Sequence, residues 1–98
     1  EMSSAESIAM ECGQIVRERV SMSRDAGLAR AQADAARFFS LTYRRVRAYW
    51  NREVRFVAAH EADLIRARYR ALLAERQSRL DQELAAVKTR LAALDGGE

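Results

Sequence analysis

Residues 32–51 read QADAARFFSLTYRRVRAYWN, and their reading decides the fold. Up to Phe39 the apolar residues follow helical spacing, and Ser40-Leu41-Thr42 then interrupts the pattern. Thr42 is a good N-cap, so a new helix is expected from Tyr43 to about Asn51. The charge is as uneven as the periodicity. The formal net charge is +3, and residues 1–36 hold four arginines against six acids. Residues 37–56 hold six arginines against Glu53 alone, and residues 57–98 balance at seven of each sign. All of the positive excess thus falls in one 20-residue block. The same block carries Phe38, Phe39, Tyr43, Tyr49, Trp50 and Phe56. A concentrated basic patch is the electrostatic footprint of an anion-binding surface, with nucleic acid the commonest polyanion. The plainer alternative is a core of aromatics with solvated arginines around it.

Outward from this block the chain reads as helix. Of its 98 residues, 49 % are apolar, and 19 are alanine. Proline is absent, and Ala, Leu, Arg and Glu dominate, so an all-α fold is expected. Few large apolar side chains remain, and a chain this short gains from partner subunits. A first helix should start at Ser3, with Glu6 at capping-box spacing, and end near Arg24. Ile8, Cys12, Ile15, Val16 and Val20 form its apolar stripe, with Gly13 inside it for close packing. Asp25-Ala26-Gly27 should form the turn. A second helix should run from about Leu28 to Phe39, its inner face marked by Leu28, Ala31, Ala35, Phe38 and Phe39. Residues 52–57 alternate weakly and read equally as an extended link or a small strand.

The last segment, from about Ala58 to Leu94, reads as one helix of about 55 Å. Asp95-Gly96-Gly97 should stop it. From Leu73 onward it carries a heptad pattern. Leu73, Leu80, Val87 and Leu94 take the d positions, and Gln77, Leu84 and Leu91 take the a positions. Ile65, Tyr69 and Leu73 step by four, so the strict heptad breaks upstream. The heptad half should pair with a second copy or fold back within the chain. The expected division is a head over 1–57, a dimerisation helix over 58–95 and a tail over 96–98.

No enzyme chemistry is visible in the sequence. His60-Glu61 begins a zinc-type pattern, but Leu64 stands where a second histidine would be needed. There is no glycine-rich phosphate loop and no cysteine pair. No cofactor, metal or small-molecule effector is expected. No apolar run approaches the ~20 residues of a membrane span, and no secretory signal pattern opens the chain. The single cysteine fits a reduced cytoplasmic protein.

The segment 32–51 resembles the helix-turn-helix of bacterial and phage DNA-binding regulators. Ala36 supplies the small residue midway along the first helix, where two helices cross closely. Ser40 stands at the turn, where the family favours glycine. Serine departs from that preference, because it tolerates positive φ poorly. Phe39, Leu41, Val46 and Tyr49 fit the apolar positions. A wheel of about 100° per residue puts Tyr43, Val46 and Trp50 on one side of the third helix, with Tyr49 at its edge. Arg44, Ala48 and Asn51 fall opposite, flanked by Arg45 and Arg47.

Arginine binds guanine O6/N7 bidentately, and asparagine does the same for adenine N6/N7. The resemblance implies that early residues of the second helix meet base edges. Tyr43, Arg44, Arg47 and Asn51 are therefore the expected base contacts, and Arg37, Arg45, Arg52 and Arg55 the expected phosphate contacts. The whole is similar to regulators that place a helix-turn-helix ahead of a dimerising coiled coil, although that group's wing residues are not recognisable. The expected protein is a homodimeric, sequence-specific double-stranded DNA binder, with half-sites about 34 Å or a multiple of that apart. Two other readings stay open: a coiled-coil interaction protein whose head binds an acidic partner, and a phage DNA-packaging recognition subunit.

Overall fold

In a computed structural model, which describes residues 4–96, the chain is helical throughout, with no strand among those residues. The helices are α1 (Ser4–Ser21), α2 (Leu28–Phe39), α3 (Tyr43–Trp50) and α4 (Ala59–Gly96). None of them is long and apolar enough to cross a membrane. The first three helices and the start of α4 form a head. The rest of α4 projects from it, and the molecule measures 63 × 32 × 23 Å.

The stripe on α1 is buried as its spacing requires: Cys12, Val16 and Val20 are fully covered, and Ile15 nearly so. Ser3 of the expected capping box lies outside the described residues. The helix ends at Ser21, three residues before the expected stop. A single 3-10 turn follows at Arg24–Ala26, and Gly27 takes φ +100°, a conformation open to glycine alone at no cost. At Gly13 it is not another helix that comes close but a side chain of α1 itself. A β-carbon there would lie 2.8 Å from the Arg17 guanidinium, which folds back over the gap. From there Arg17 Nη1 donates to the Tyr49 carbonyl at the end of α3, over 3.0 Å.

On α2 the inner face is Ala31, Gln32, Ala35, Ala36 and Phe39. Leu28 is a correction to the expected face, being exposed, whereas Phe38 is half-buried against the core, its ring edge-on to Phe39. A register of 31, 32, 35, 36 and 39 turns the buried arc toward the alanines, so α1 and α3 approach closely.

α2 and α3 both end in the same way. After α2, Ser40 adopts φ 59° and ψ 38°. The Ser40 amide donates to the Arg37 carbonyl and the Leu41 amide to the Ala36 carbonyl. After α3, Arg52 adopts φ 61°. Its amide donates to the Tyr49 carbonyl and the Glu53 amide to the Ala48 carbonyl. Both are Schellman closures in which a non-glycine residue carries the left-handed position. Residues 53–58 then run on without regular structure, and Val57 plugs into the core. The link reading of 52–57 is therefore the correct one, since the edge has no neighbouring strand to pair with.

α4 packs against α1 and α2 through Ala62, Ile65 and Leu72, with Tyr69 half-buried between them. The joint to α1 is also polar. Arg66 grips the Glu11 carboxylate through Nε at 3.0 Å and Nη2 at 2.6 Å. The Tyr69 hydroxyl donates to Glu18 at 3.0 Å. The Glu11–Arg66 hydrogen bond holds the Glu11 carboxyl below its usual range. Leu73, not Leu72, was expected to extend the upstream step, but Leu73 is exposed. The break in the heptad thus marks a change of face, from one stripe that covers the head to another that leaves it. The helix does not fold back: Leu73, Leu80, Leu84, Val87, Leu91 and Leu94 are 40–78 % exposed.

Candidate nucleic-acid interface

Three features position α3. Thr42 caps it, with Oγ1 accepting from the Arg45 amide at 3.1 Å. Val46 and Tyr49 are fully buried on its inner side. The buried Gln32 accepts from the Tyr43 hydroxyl at 2.9 Å, tying the start of α3 to the start of the buried run on α2. Trp50 packs against the core as expected, but at its edge. It is only half-buried, with the Arg24 guanidinium 5.5 Å from its ring centroid, and Tyr49 takes the central place.

Tyr49 is held by a second polar cluster. Its hydroxyl donates to Glu61 Oε2 at 2.5 Å, and Arg45 Nε donates to the same oxygen at 2.9 Å. The Arg45 guanidinium also lies 5.1 Å from the Tyr49 ring centroid and donates to the Phe56 carbonyl at 3.2 Å. Burial and the Glu61 carboxylate push the Tyr49 hydroxyl pKa strongly upward. Burial is the largest single influence and works against the Arg45 charge, but the hydrogen bonds and charges of Glu61 and Tyr49 together outweigh it, so the Arg45 pKa rises. Arg45, expected at phosphate, therefore stands as an internal strut between α3 and the first turn of α4.

The outer side of α3 is different. Arg44, Arg47, Ala48, Asn51 and Glu53 line one hollow of about 240 Å³. Arg44, Arg47 and Asn51 are exposed, and neither arginine makes an ion pair among the described residues. Tyr43 is partly exposed, with its hydroxyl engaged by Gln32. Three of the four expected base contacts thus share one surface, and the fourth borders it in sequence.

The expected phosphate set divides. Arg52 and Arg55 are exposed and line a separate hollow of about 340 Å³ together with Arg17, Glu6 and Met10. Burial and the neighbouring Arg52 hold the Arg17 pKa below its ordinary value, so this edge of the head is locally cation-rich. Arg37 is exposed and paired with Asp34 three residues back on α2. His60 is exposed at the start of α4, and no group of three metal-ligating side chains occurs among the described residues.

Sequence reasoning missed Arg17, Glu53 and Glu61. Glu61 was legible only as an acid near a helix start. Its contact with α3 lies 12 and 16 residues away in sequence and has no periodic signal. Comparison with protein-family models, curated proteins and solved structures finds no match for this chain.

Proposed function

We propose that the chain is a homodimeric, sequence-specific double-stranded DNA-binding protein, a transcription regulator of the helix-turn-helix kind with α3 as its recognition helix. The observation that carries this reading is the hollow on the outer side of α3. Arg44, Arg47 and Asn51 converge there around the small Ala48, neither arginine in an ion pair among the described residues although Glu53 lines the same hollow, while Val46 and Tyr49 anchor the inner side. The left-handed Ser40 between α2 and α3 supports it, since the resemblance calls for positive φ at that position. In this reading Arg44, Arg47 and Asn51 meet base edges, with Tyr43 beside them. Arg37, Arg52 and Arg55 meet phosphates. Arg45 stays on Glu61. Glu53, which lines the same hollow, favours a cytosine amine and disfavours a phosphate close by. The dimer forms through Leu73, Gln77, Leu80, Leu84, Val87, Leu91 and Leu94.

Selection of bound fragments from random duplex, followed by salt titration on the selected site, tests the proposal. Three phosphate contacts per head predict a log–log salt slope of roughly −5 for the dimer. A flat slope, or no binding at low salt, overturns it. Arg44→Ala should cost about 1–3 kcal/mol on the selected duplex and relax one base position. An equal loss on random duplex reassigns Arg44 to phosphate.

A further inference from the structure

Beyond the junction with the head, none of the described residues covers α4. Leu80, Leu84, Val87, Leu91 and Leu94 are exposed along one stripe that continues from exposed Leu73, about 100° of helix rotation from the head-facing Leu72. The charges beside this stripe are ordered. From Leu80 to Asp95 every charged residue falls at an e or g position: Asp81, Glu83, Lys88, Arg90 and Asp95. The outward b, c and f positions hold only Gln82, Ala85, Ala86, Thr89, Ala92 and Ala93. A helix built solely for solvent would carry its charges on that outward side.

These charges also have no partners on their own helix. Asp81, Lys88, Arg90 and Asp95 have no opposite charge three or four residues away. Glu83 has Arg79, but none of the five makes an ion pair among the described residues.

We propose that α4 pairs with α4 of a second copy as a parallel, in-register, two-stranded coiled coil. The inference rests on the dimeric reading of α4 and not on DNA binding. In a parallel pair each g residue meets the e residue five positions later on the other helix. Arg76 then meets Asp81, Glu83 meets Lys88, and Arg90 meets Asp95. All three rungs join opposite charges, and symmetry makes each occur twice. Arg76 also lies 3.6 Å from Glu18 of its own head, so the two outer rungs carry the charge argument. Gln77 meets Gln77 at an a layer, where the two amides hydrogen-bond each other. The best antiparallel register pairs Glu83 with Arg90 and Asp81 with Lys88. It makes as many opposite-charge pairs as the Glu83–Lys88 and Arg90–Asp95 rungs, but it leaves Asp95 and Arg76 without an opposite charge across the seam and sets the Gln77 amide against Leu94. Parallel pairing places both heads at one end of the coil, where two recognition helices can face one ligand.

Cross-linking and charge exchange in the full chain, with Cys12→Ser as background, test the alignment. Gln77→Cys and Leu91→Cys should each form a disulfide-linked dimer in a glutathione buffer. Linking only in a mixture of Gln77→Cys with Leu94→Cys would overturn the parallel alignment. Glu83→Lys should weaken the dimer about tenfold in sedimentation, because two attractive rungs become repulsive. Adding Lys88→Glu should restore it. Restoration by Arg90→Glu instead marks the antiparallel register and overturns the proposal while leaving the dimer intact. A monomer mass for the unaltered chain removes the dimer and the proposal together, and a mass above two chains removes the two-stranded form.

Discussion

Ser40 shows how much a single backbone position decides. It closes α2 in the left-handed region, where a side chain costs about 1–2 kcal/mol relative to glycine. Its hydroxyl takes only a long 3.4 Å contact from Arg68 in return. Ser40→Gly should therefore stabilise the chain by about 0.5–1 kcal/mol, after allowing for the extra freedom of glycine in the unfolded state. A rise in the urea midpoint at unchanged slope is the expected readout. Cys12 makes a second prediction at this scale. Burial, helped by the neighbouring Glu11, raises its thiol pKa from 9.0 to about 11. The unfolded chain then releases the thiol proton first. The stabilisation is complete below pH 9 and is lost as pH climbs from about 9 to 11. Alkaline unfolding should be flatter over that window in Cys12→Ala, and an iodoacetamide reagent should label native Cys12 far more slowly than the unfolded thiol. Equal labelling in both states would show that the site is open.

Among the elements, α3 depends most on its neighbours. At eight residues it is too short to hold its shape alone. Thr42 secures its start, Arg17 the Tyr49 carbonyl near its end, and Glu61 its middle through Tyr49 and Arg45. The Glu61 side chain is 18 % exposed and Arg45 33 %, so removing the carboxylate leaves a half-buried guanidinium and hydroxyl without their acceptor. Glu61→Ala should cost about 2–3 kcal/mol in denaturant unfolding, and Glu61→Gln less, because an amide oxygen still accepts. A cost under about 0.5 kcal/mol would place the weight of α3 on Val46 and Tyr49 alone. The same substitution frees Arg45, so any gain in polyanion affinity would be read against the lost order of α3.

For the whole molecule, the decisive feature is a helix that serves two partners. Its first half completes the core of the head through Ile65 and Leu72, and its second half carries an apolar stripe with no internal cover. Leu84→Asp lies far outside the head, so it should leave the head's near-ultraviolet circular dichroism unchanged. In the dimeric reading it halves the sedimentation mass. An unchanged mass would move the contact between copies to another surface, such as exposed Met10 and Phe56 on the head.

Alanine-rich helical composition, the caps and the 3.6-residue spacing determined by themselves that the chain is all helix, where α2 starts and ends, and that Thr42 begins α3. These are local signals, set by neighbours within one turn. The hydroxyl-to-carboxylate bond from Tyr49 to Glu61, the folding of Arg17 over Gly13, and the division of the arginines into struts and exposed groups were decided only in three dimensions. An arginine reads identically in sequence whether a carboxylate faces it or water does, and helical wheels place Trp50 and Tyr49 within 100° of each other. Which of the two turns inward depends on how α1 and α2 pack on α3, and the α1 crossing is fixed by packing between segments far apart in the chain.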